Sequence, residues 1–382
     1  MTLRLVADEN IPALEASFGS GVAVRRLSGR QLTSADLADA DILLVRSVTR
    51  VDAQLLAGSP VKFVGSATSG IDHIDLDYLR RGNIGFAHAP GANANSVVEY
   101  VLAAIAALDD YLERLLAGAA VAIVGYGHIG RAVGARLRAL GIHCLVYDPW
   151  LTPAEVGGTT TLADVLACEV ICLHPELTRK EPWPSYHLLG RAQLAEMGRG
   201  QLLINASRGP VVDNRALYRR LKQGSGPEVV LDVWETEPLV PPELLATVRL
   251  GTAHIAGYSY DGKLLATRML RDAAAAALGR TFAGGDASAG DIPGPLRVSD
   301  DVTQPELLRQ LVSASYRIED DDQRLRRAVK DTTAERCREN FDQLRKNYPQ
   351  RRELAGREVV LAGGNGRWRD VVRALGCKPV EV

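Results

Sequence analysis

No apolar run in the 382 residues is long enough to span a bilayer, so the pattern excludes a transmembrane helix. A secretory leader is excluded too: Met1-Thr2-Leu3-Arg4-Leu5-Val6-Ala7-Asp8-Glu9-Asn10 meets an acidic pair too soon. Neither sign of charge dominates. With 45 Lys and Arg against 46 Asp and Glu, the net charge is −1, which argues against a general binder of nucleic acid or of acidic membranes. There is no Cys-x-x-Cys. The five cysteines, Cys144, Cys168, Cys172, Cys337 and Cys377, are odd in number, and Cys172 alternates with apolar neighbours. They read as buried thiols in a reducing cytoplasm, not as a disulfide frame or a metal centre. No internal repeat of solenoid period is present. A globular chain of this length exceeds one hydrophobic core, so two or three domains are expected.

What is present is alternation. Over residues 3–90, strand-like runs at Leu3–Val6, Val22–Leu27, Asp41–Val45 and Val61–Gly65 are separated by helical stretches. That rhythm implies a parallel sheet. Pro90-Gly91 breaks it, and Ser96 with Glu99 three residues on reads as a capping box that opens a linking helix over about 96–116. A second alternating unit follows to about 257, with strands expected at Ala120–Val124, Gly141–Tyr147, Val170–Leu173, Leu202–Asn205, Val229–Val233 and Arg249–Gly251. Helical stretches are expected over 264–278, 305–329 and 334–347, a linker over 283–295, and a closing strand Glu358–Ala362 with a helix near 367–375. The expected fold is α/β: two doubly wound parallel-sheet units (Rossmann- or flavodoxin-like) with a cleft between them, plus a small C-terminal α+β module. The boundaries read as 1–94 with 258–285, then 95–257, then 286–382.

Three separated polar residues follow strands of the second unit. Arg208 lies in Asn205-Ala206-Ser207-Arg208-Gly209, Glu237 in Trp234-Glu235-Thr236-Glu237-Pro238, and His254 in Thr252-Ala253-His254-Ile255-Ala256-Gly257. In an open parallel sheet, ligands bind at the carboxyl ends of the strands. There a guanidinium can grip a carboxylate in two-pronged fashion, and a carboxylate can orient an imidazole and stabilise its cation. A lone histidine is often only a structural donor, and the nearby Glu237 is what favours the base. Gly125-Tyr126-Gly127-His128-Ile129-Gly130 sits between a strand and a helix. Its glycines suit a tight turn, close approach of a pyrophosphate and close helix packing. The helix start adds amide donors. Asp148 ends the next strand at the spacing of an acid that holds ribose hydroxyls, and its charge would repel a 2′-phosphate, favouring NAD over NADP. A plain glycine turn is the alternative. Asp232 reads either as a helix cap or solvated strand end, or as an acceptor for the nicotinamide carboxamide.

In this order, the glycine fingerprint, Asn205-Ala206-Ser207-Arg208-Gly209, Glu237-Pro238-Leu239 and His254-Ile255-Ala256-Gly257 resemble the D-isomer-specific 2-hydroxyacid dehydrogenases. The likeness covers about 3–280. It implies that Arg208, Glu237 and His254 are catalytic. It also implies NAD contacts along Gly125, Gly127, His128, Ile129, Gly130 and Asp148, at Pro175, at Ala206, Ser207 and Arg208, and at Asp232 and Gly257, with substrate contacts at Ser47, Thr68 and Tyr258. Further segments, among them Ala7-Asp8-Glu9-Asn10-Ile11-Pro12, Val45-Arg46-Ser47-Val48-Thr49 and Leu344-Arg345-Lys346-Asn347-Tyr348, narrow it to a branch that oxidises a phosphorylated four-carbon hydroxy acid and forms a homodimer through its C-terminal module. A phosphate needs positive charge: Arg46 is nearest in sequence, and Arg351-Arg352 reads either as a second source or as a solvated basic face. Pro175 stands where the family has a threonine, and offers neither hydroxyl nor backbone donor. Ala92 and Asp261 replace a cysteine and a glutamate.

Two other motifs read as turns. Asp72-His73-Ile74-Asp75-x-Asp77 imitates a metal cluster, but the resemblance implies a structural turn into a helix there. Gly363-Gly364-Asn365-Gly366 imitates a phosphate loop without its Lys-Ser/Thr ending. Rival functions on the same scaffold are a dehydrogenase for another D-2-hydroxy acid and an NAD-sensing protein without catalysis.

Overall fold

The strands are short runs of aliphatic residues buried on both faces, as a parallel sheet covered by helices requires. The computed structural model describes residues 2–285, 294–299, 301–362 and 366–380. The expected linker over 283–295 and the turn at Gly363-Gly364-Asn365 lie largely outside the described residues.

The chain forms two compact units, one reaching from the N-terminus to Asn93 and resuming at Ser259, the other comprising Ala94–Tyr258 and the C-terminal residues. In the first unit β1 (Leu3–Asp8), β2 (Val22–Leu27), β3 (Ile42–Val45), β4 (Phe63–Ser66) and β5 (Gly85–His88) form a parallel sheet in the order β2-β1-β3-β4-β5. The winding reverses between β1 and β3, so Asp8 and Arg46 sit at the carboxyl ends flanking that switch point. The helix Tyr260–Leu278 packs Leu270 and Ala274 onto this sheet beside Phe63.

The second unit holds β6 (Ala120–Val124), β7 (His143–Tyr147), β8 (Val170–Leu173), β9 (Leu202–Asn205), β10 (Glu228–Leu231) and β11 (Leu250–Gly251), all parallel, in the order β11-β10-β9-β8-β6-β7. Here the winding reverses at β6, whose carboxyl end runs into Gly125. A third sheet, β12 (Leu296–Ser299), β13 (Glu358–Ala362) and β14 (Lys378–Val380), is also parallel. Its residues Val298 and Val359, with Leu307 and Leu311 of the helix Gln304–Ser315, share one apolar core with Val101, Ile105 and Val121. The C-terminal residues are thus built onto the second unit. No helix among the described residues is long and apolar enough to cross a membrane.

Several expectations need correction. The linking helix is two helices, Ala94–Ala107 and Tyr111–Leu116, broken where Asp109 takes a positive φ of 36°. Ser96 and Glu99 do not cap it, because both are buried inside the first helix. The Ser96 hydroxyl donates to Ala256 O at 2.8 Å, and a Glu99 carboxylate oxygen accepts from the Leu354 amide at 2.6 Å. The stretch 305–329 divides into Gln304–Ser315 and Ile318–Val329. Strands β5, β12 and β14 went unforeseen. All five cysteines are free, and all but Cys144 are buried.

Glu99 supplies a test of this packing. Burial pushes its carboxyl up to about 7, with Glu353 adding to the effect and Arg351 opposing it. Below its ordinary value of 4.5 the acid is neutral folded or unfolded, and costs nothing. As the pH rises the unfolded chain ionises first, so stability is lost progressively up to and through about 7. Thermal melts across this window should show a falling midpoint in the wild type and a flatter profile in Glu99→Gln. Parallel profiles would show that Glu99 is not the group responsible.

Candidate active site

Each residue of the predicted trio follows a strand of one sheet, and the parallel winding puts those strand ends on one edge. After β10 the chain turns at Asp232. This carboxylate, 1% exposed, accepts from the Thr252 hydroxyl at 2.6 Å and from the amides of Ile255 and Ala256 at 2.7 and 2.9 Å. Thr252 has spent its proton there, so the Tyr100 hydroxyl, 2.9 Å away, is the donor to Thr252. The same turn bends the chain through His254, whose backbone amide donates to Asp232 O at 2.7 Å and whose φ is 56°. A non-glycine residue holds that left-handed conformation only where its surroundings over-determine it.

The bend delivers the His254 Nδ1 to within 2.8 Å of a Glu237 carboxylate oxygen. The other Glu237 oxygen accepts from the Trp234 amide at 2.8 Å. Burial raises the Glu237 carboxyl, but His254, the Trp234 amide and Arg345 outweigh it, and the group stays ionised below the usual carboxylate range. An ionised carboxylate only accepts, so Nδ1 carries the proton and Nε2 is left as the basic nitrogen.

Arg208 arrives from β9. The Asn205 side chain folds the turn before it, accepting from the Ser207 amide and hydroxyl and donating to Arg208 O at 3.1 Å. Gly209 then lies so close to Trp234 that an added Cβ would stand 2.1 Å from its backbone carbonyl, so only glycine fits. The Trp234 indole donates to Thr252 O at 2.9 Å. Trp234 therefore ties together the Arg208, Glu237 and His254 loops, a role that nothing in the sequence pattern announced.

The glycine turn fits a dinucleotide on structural grounds. Gly125 has a φ of 84°, and a Cβ on Gly130 would lie 2.0 Å from Gly125 O. A Cβ on Gly127 would meet nothing within 4 Å, which leaves the helix His128–Ala139 open at its N-terminus. Asp148, at the end of β7, accepts from the Tyr126 amide at 2.8 Å and so pins the turn it was expected to serve. His174, against Gly125, is buried with neither ring nitrogen bonded, and burial lowers its pKa to about 4, so a neutral donor or acceptor is available there. Pro175 packs directly against Gly125. Ala206, Ser207, Asp232 and Gly257 lie at or just beyond the same strand ends, the bonds already made by Asp232 leaving little of its carboxylate over.

In the first unit, Ser47 and Thr68 each stand two residues beyond the paired positions Val45 and Ser66, on neighbouring strand ends. The Thr68 hydroxyl lies 2.7 Å from that of Ser66. Arg46 Nη1 is 3.9 Å from Asp8, whose second oxygen is buried and unpartnered. Lys263, to which sequence reading assigned no role, joins them: burial and Arg46 push its pKa down to about 8, and Asp8 partly opposes them. Arg351 is a correction. It is not solvated, being 7% exposed with Nη2 bonded to Ala256 O and Ser96 O, both at 3.1 Å. Tyr258 packs edge-on against Tyr348 at 5.7 Å.

A second imidazole–carboxylate pair was missed. His187 Nε2 lies 2.7 Å from Glu235, and with Asp213 they form the one His and carboxylate group among the described residues compact enough for a metal. Its oxygens are already engaged, Glu235 by the Asn214 amide and Asp213 by the Ala216 amide at the start of a helix. Asp75, of the other metal-like motif, caps a helix through the Tyr78 amide.

Comparison with known proteins agrees with this geometry. Residues 98–256 match the NAD binding domain of the D-isomer specific 2-hydroxyacid dehydrogenases, and residues 294–376 match a domain of unknown function. The chain is 44% identical to the erythronate-4-phosphate dehydrogenase of Azotobacter vinelandii (strain DJ), over 99% of this chain and 100% of that one. It is 42% identical to the enzyme of that name from Cellvibrio japonicus, over the same shares of the two chains. Among solved structures, the TT0316 protein of Thermus thermophilus superposes with a TM-score of 0.62 at 26% identity, covering 74% of this chain and 99% of that one. A D-lactate dehydrogenase of Aquifex aeolicus, solved with NAD and lactic acid, shares the fold with a TM-score of 0.58 at 24% identity, over 74% of this chain and 100% of that one. The chain belongs to the D-isomer-specific 2-hydroxyacid dehydrogenases, in the branch of the erythronate-4-phosphate dehydrogenases.

Proposed function

We propose that the protein oxidises 4-phospho-D-erythronate at C2 to (R)-3-hydroxy-2-oxo-4-phosphooxybutanoate, a step in making pyridoxal 5′-phosphate. The observation that carries the chemistry is the 2.8 Å pair between His254 Nδ1 and Glu237, which leaves Nε2 as the base. Nε2 takes the proton from the C2 hydroxyl, and Glu237 stabilises the imidazolium that forms. Arg208 pairs with the substrate carboxylate and polarises the C2 oxygen as it becomes a carbonyl. NAD, bound along Gly125–Gly130 and Asp148, accepts the hydride that leaves C2. Ser47, Thr68 and Tyr258 are assigned to the substrate's hydroxyls and carboxylate. Arg46 and Lys263 are assigned to its phosphate, since two cations share one buried carboxylate there. The family relation supports a homodimer formed through the C-terminal module, and five free cysteines suit the cytoplasm.

Replacing His254 with Asn should lower kcat by about 10²–10⁴-fold with NADH binding retained, followed by cofactor absorbance with 4-phosphoerythronate as sole donor. Near-native turnover would remove the base from its role. Arg46→Met or Lys263→Met should weaken use of 4-phosphoerythronate about 10- to 100-fold while leaving turnover of unphosphorylated erythronate at its wild-type level. Equal losses on both acids would place these cations elsewhere. Asp148→Asn keeps an oxygen for the Tyr126 amide but drops the charge. Its preference for NADH over NADPH, read as the ratio of dissociation constants by fluorescence, should shrink about 10-fold.

A further inference from the structure

The loop that carries His254 is held at both ends from the C-terminal residues, whose match is to a domain without an assigned role. At its start, the Gly251 amide donates to Asp322 at 2.7 Å, and Arg326 donates to Leu245 O at 2.8 Å and Val248 O at 3.0 Å. At its end, Arg351 donates to Ala256 O at 3.1 Å while its guanidinium lies 4.2 Å over the Tyr316 ring. Tyr348 packs edge-on against Tyr258 at 5.7 Å and donates its hydroxyl to Asp321 at 2.7 Å. Between them stands Arg345, in the last turn of the helix Ala334–Lys346. Its guanidinium is 5.7 Å from the Tyr258 ring and 5.9 Å from that of the buried Phe341, and its Nε is buried without a hydrogen-bond partner.

We propose that the segment Arg345–Arg351 is a clasp on the catalytic loop, and that Arg345 is a positioning residue for the Glu237–His254 pair. The loop needs such a clasp because His254 sits at a φ of 56°, a conformation that relaxes unless it is held. The positive charge of Arg345 also helps keep the Glu237 carboxylate ionised, behind the larger contributions of His254 and the Trp234 amide. It touches no substrate; it acts through Glu237 and through the stacked Tyr258. The C-terminal module then serves catalysis within its own chain, apart from any part in assembly.

The inference rests on the dehydrogenase reading, and the test separates the two. In the full-length protein, Arg345→Met should lower kcat for 4-phosphoerythronate about 10- to 100-fold, with KM, the NADH dissociation constant and the assembled mass changed by less than about two-fold. Arg345→Lys, which keeps the charge, should recover most of the loss. Hydrogen exchange of the peptide spanning 251–258 should quicken in Arg345→Met and not in Arg345→Lys. Unchanged kcat with unchanged exchange overturns the clasp, as does an equal loss in the Met and Lys variants. If the Met variant does not fold, Arg345→Gln carries the same comparison. A wild type that ignores 4-phosphoerythronate would overturn the substrate reading, and the exchange experiment would then decide the clasp alone.

Discussion

The site depends on one buried charge. Asp232 is almost wholly removed from water, and an isolated carboxylate there would cost several kcal/mol. It is tolerated because the Thr252 hydroxyl and the amides of Ile255 and Ala256 all point at it. The converse matters more for function. Those donors can reach Asp232 only if the chain after β11 curls back over the end of β10, and that curl forces His254 into the left-handed region. The conformation of the base is therefore set by a hydrogen-bonding requirement one strand away. Asp232 was read in the sequence as a helix cap, a solvated strand end or a cofactor ligand; its carboxylate instead binds the Thr252 hydroxyl and two amides of the His254 loop, and it is buried rather than solvated.

Much of this was legible in the chain, for a topological reason. Strands of a parallel sheet all end on the same edge, so residues such as Arg208, Asp232 and Thr252, each just past an apolar run, must gather there however far apart they are in sequence. The glycine turn was legible because φ at Gly125 and the contact between Gly130 and Gly125 O tolerate no side chain. What escaped notice leaves no periodic trace. Trp234 looked like one more apolar residue, yet its backbone carbonyl, amide and indole each engage a different loop. Arg351 looked like half of a solvated basic pair because burial of an arginine depends on tertiary partners. Strands β5, β12 and β14 are edge or near-edge pieces containing Gly85, Arg297 and Pro379, which weaken the apolar signal. Ser96 and Glu99 carried the capping pattern, but Arg351 and the Leu354 amide claimed those side chains.

The unit buries several ionisable groups, and they divide by sign of effect. Burial makes His174 hard to protonate and Glu99 hard to ionise, so both favour neutrality near the glycine turn and the first helix. Glu237 is the opposite case: desolvation would neutralise it, and the neighbouring imidazole, amide and guanidinium prevail. A carboxylate kept charged at low dielectric stabilises an imidazolium more than one in water would. The base is thus oriented by a partner whose own ionisation the surrounding fold enforces.

This arrangement explains why the loops cannot be adjusted one at a time. Gly209 admits Trp234 so closely that the turn bearing Arg208 has no freedom to move away from it. Trp234 in turn fixes Glu237 through its amide and Thr252 through its indole, and Thr252 is bonded to the same Asp232 that shapes the His254 turn. Guanidinium, carboxylate and imidazole are therefore positioned by a single closed circuit of contacts, some to backbone atoms and some between side chains. Arg46, just after β3, and Lys263, on the helix Tyr260–Leu278, lie outside that circuit.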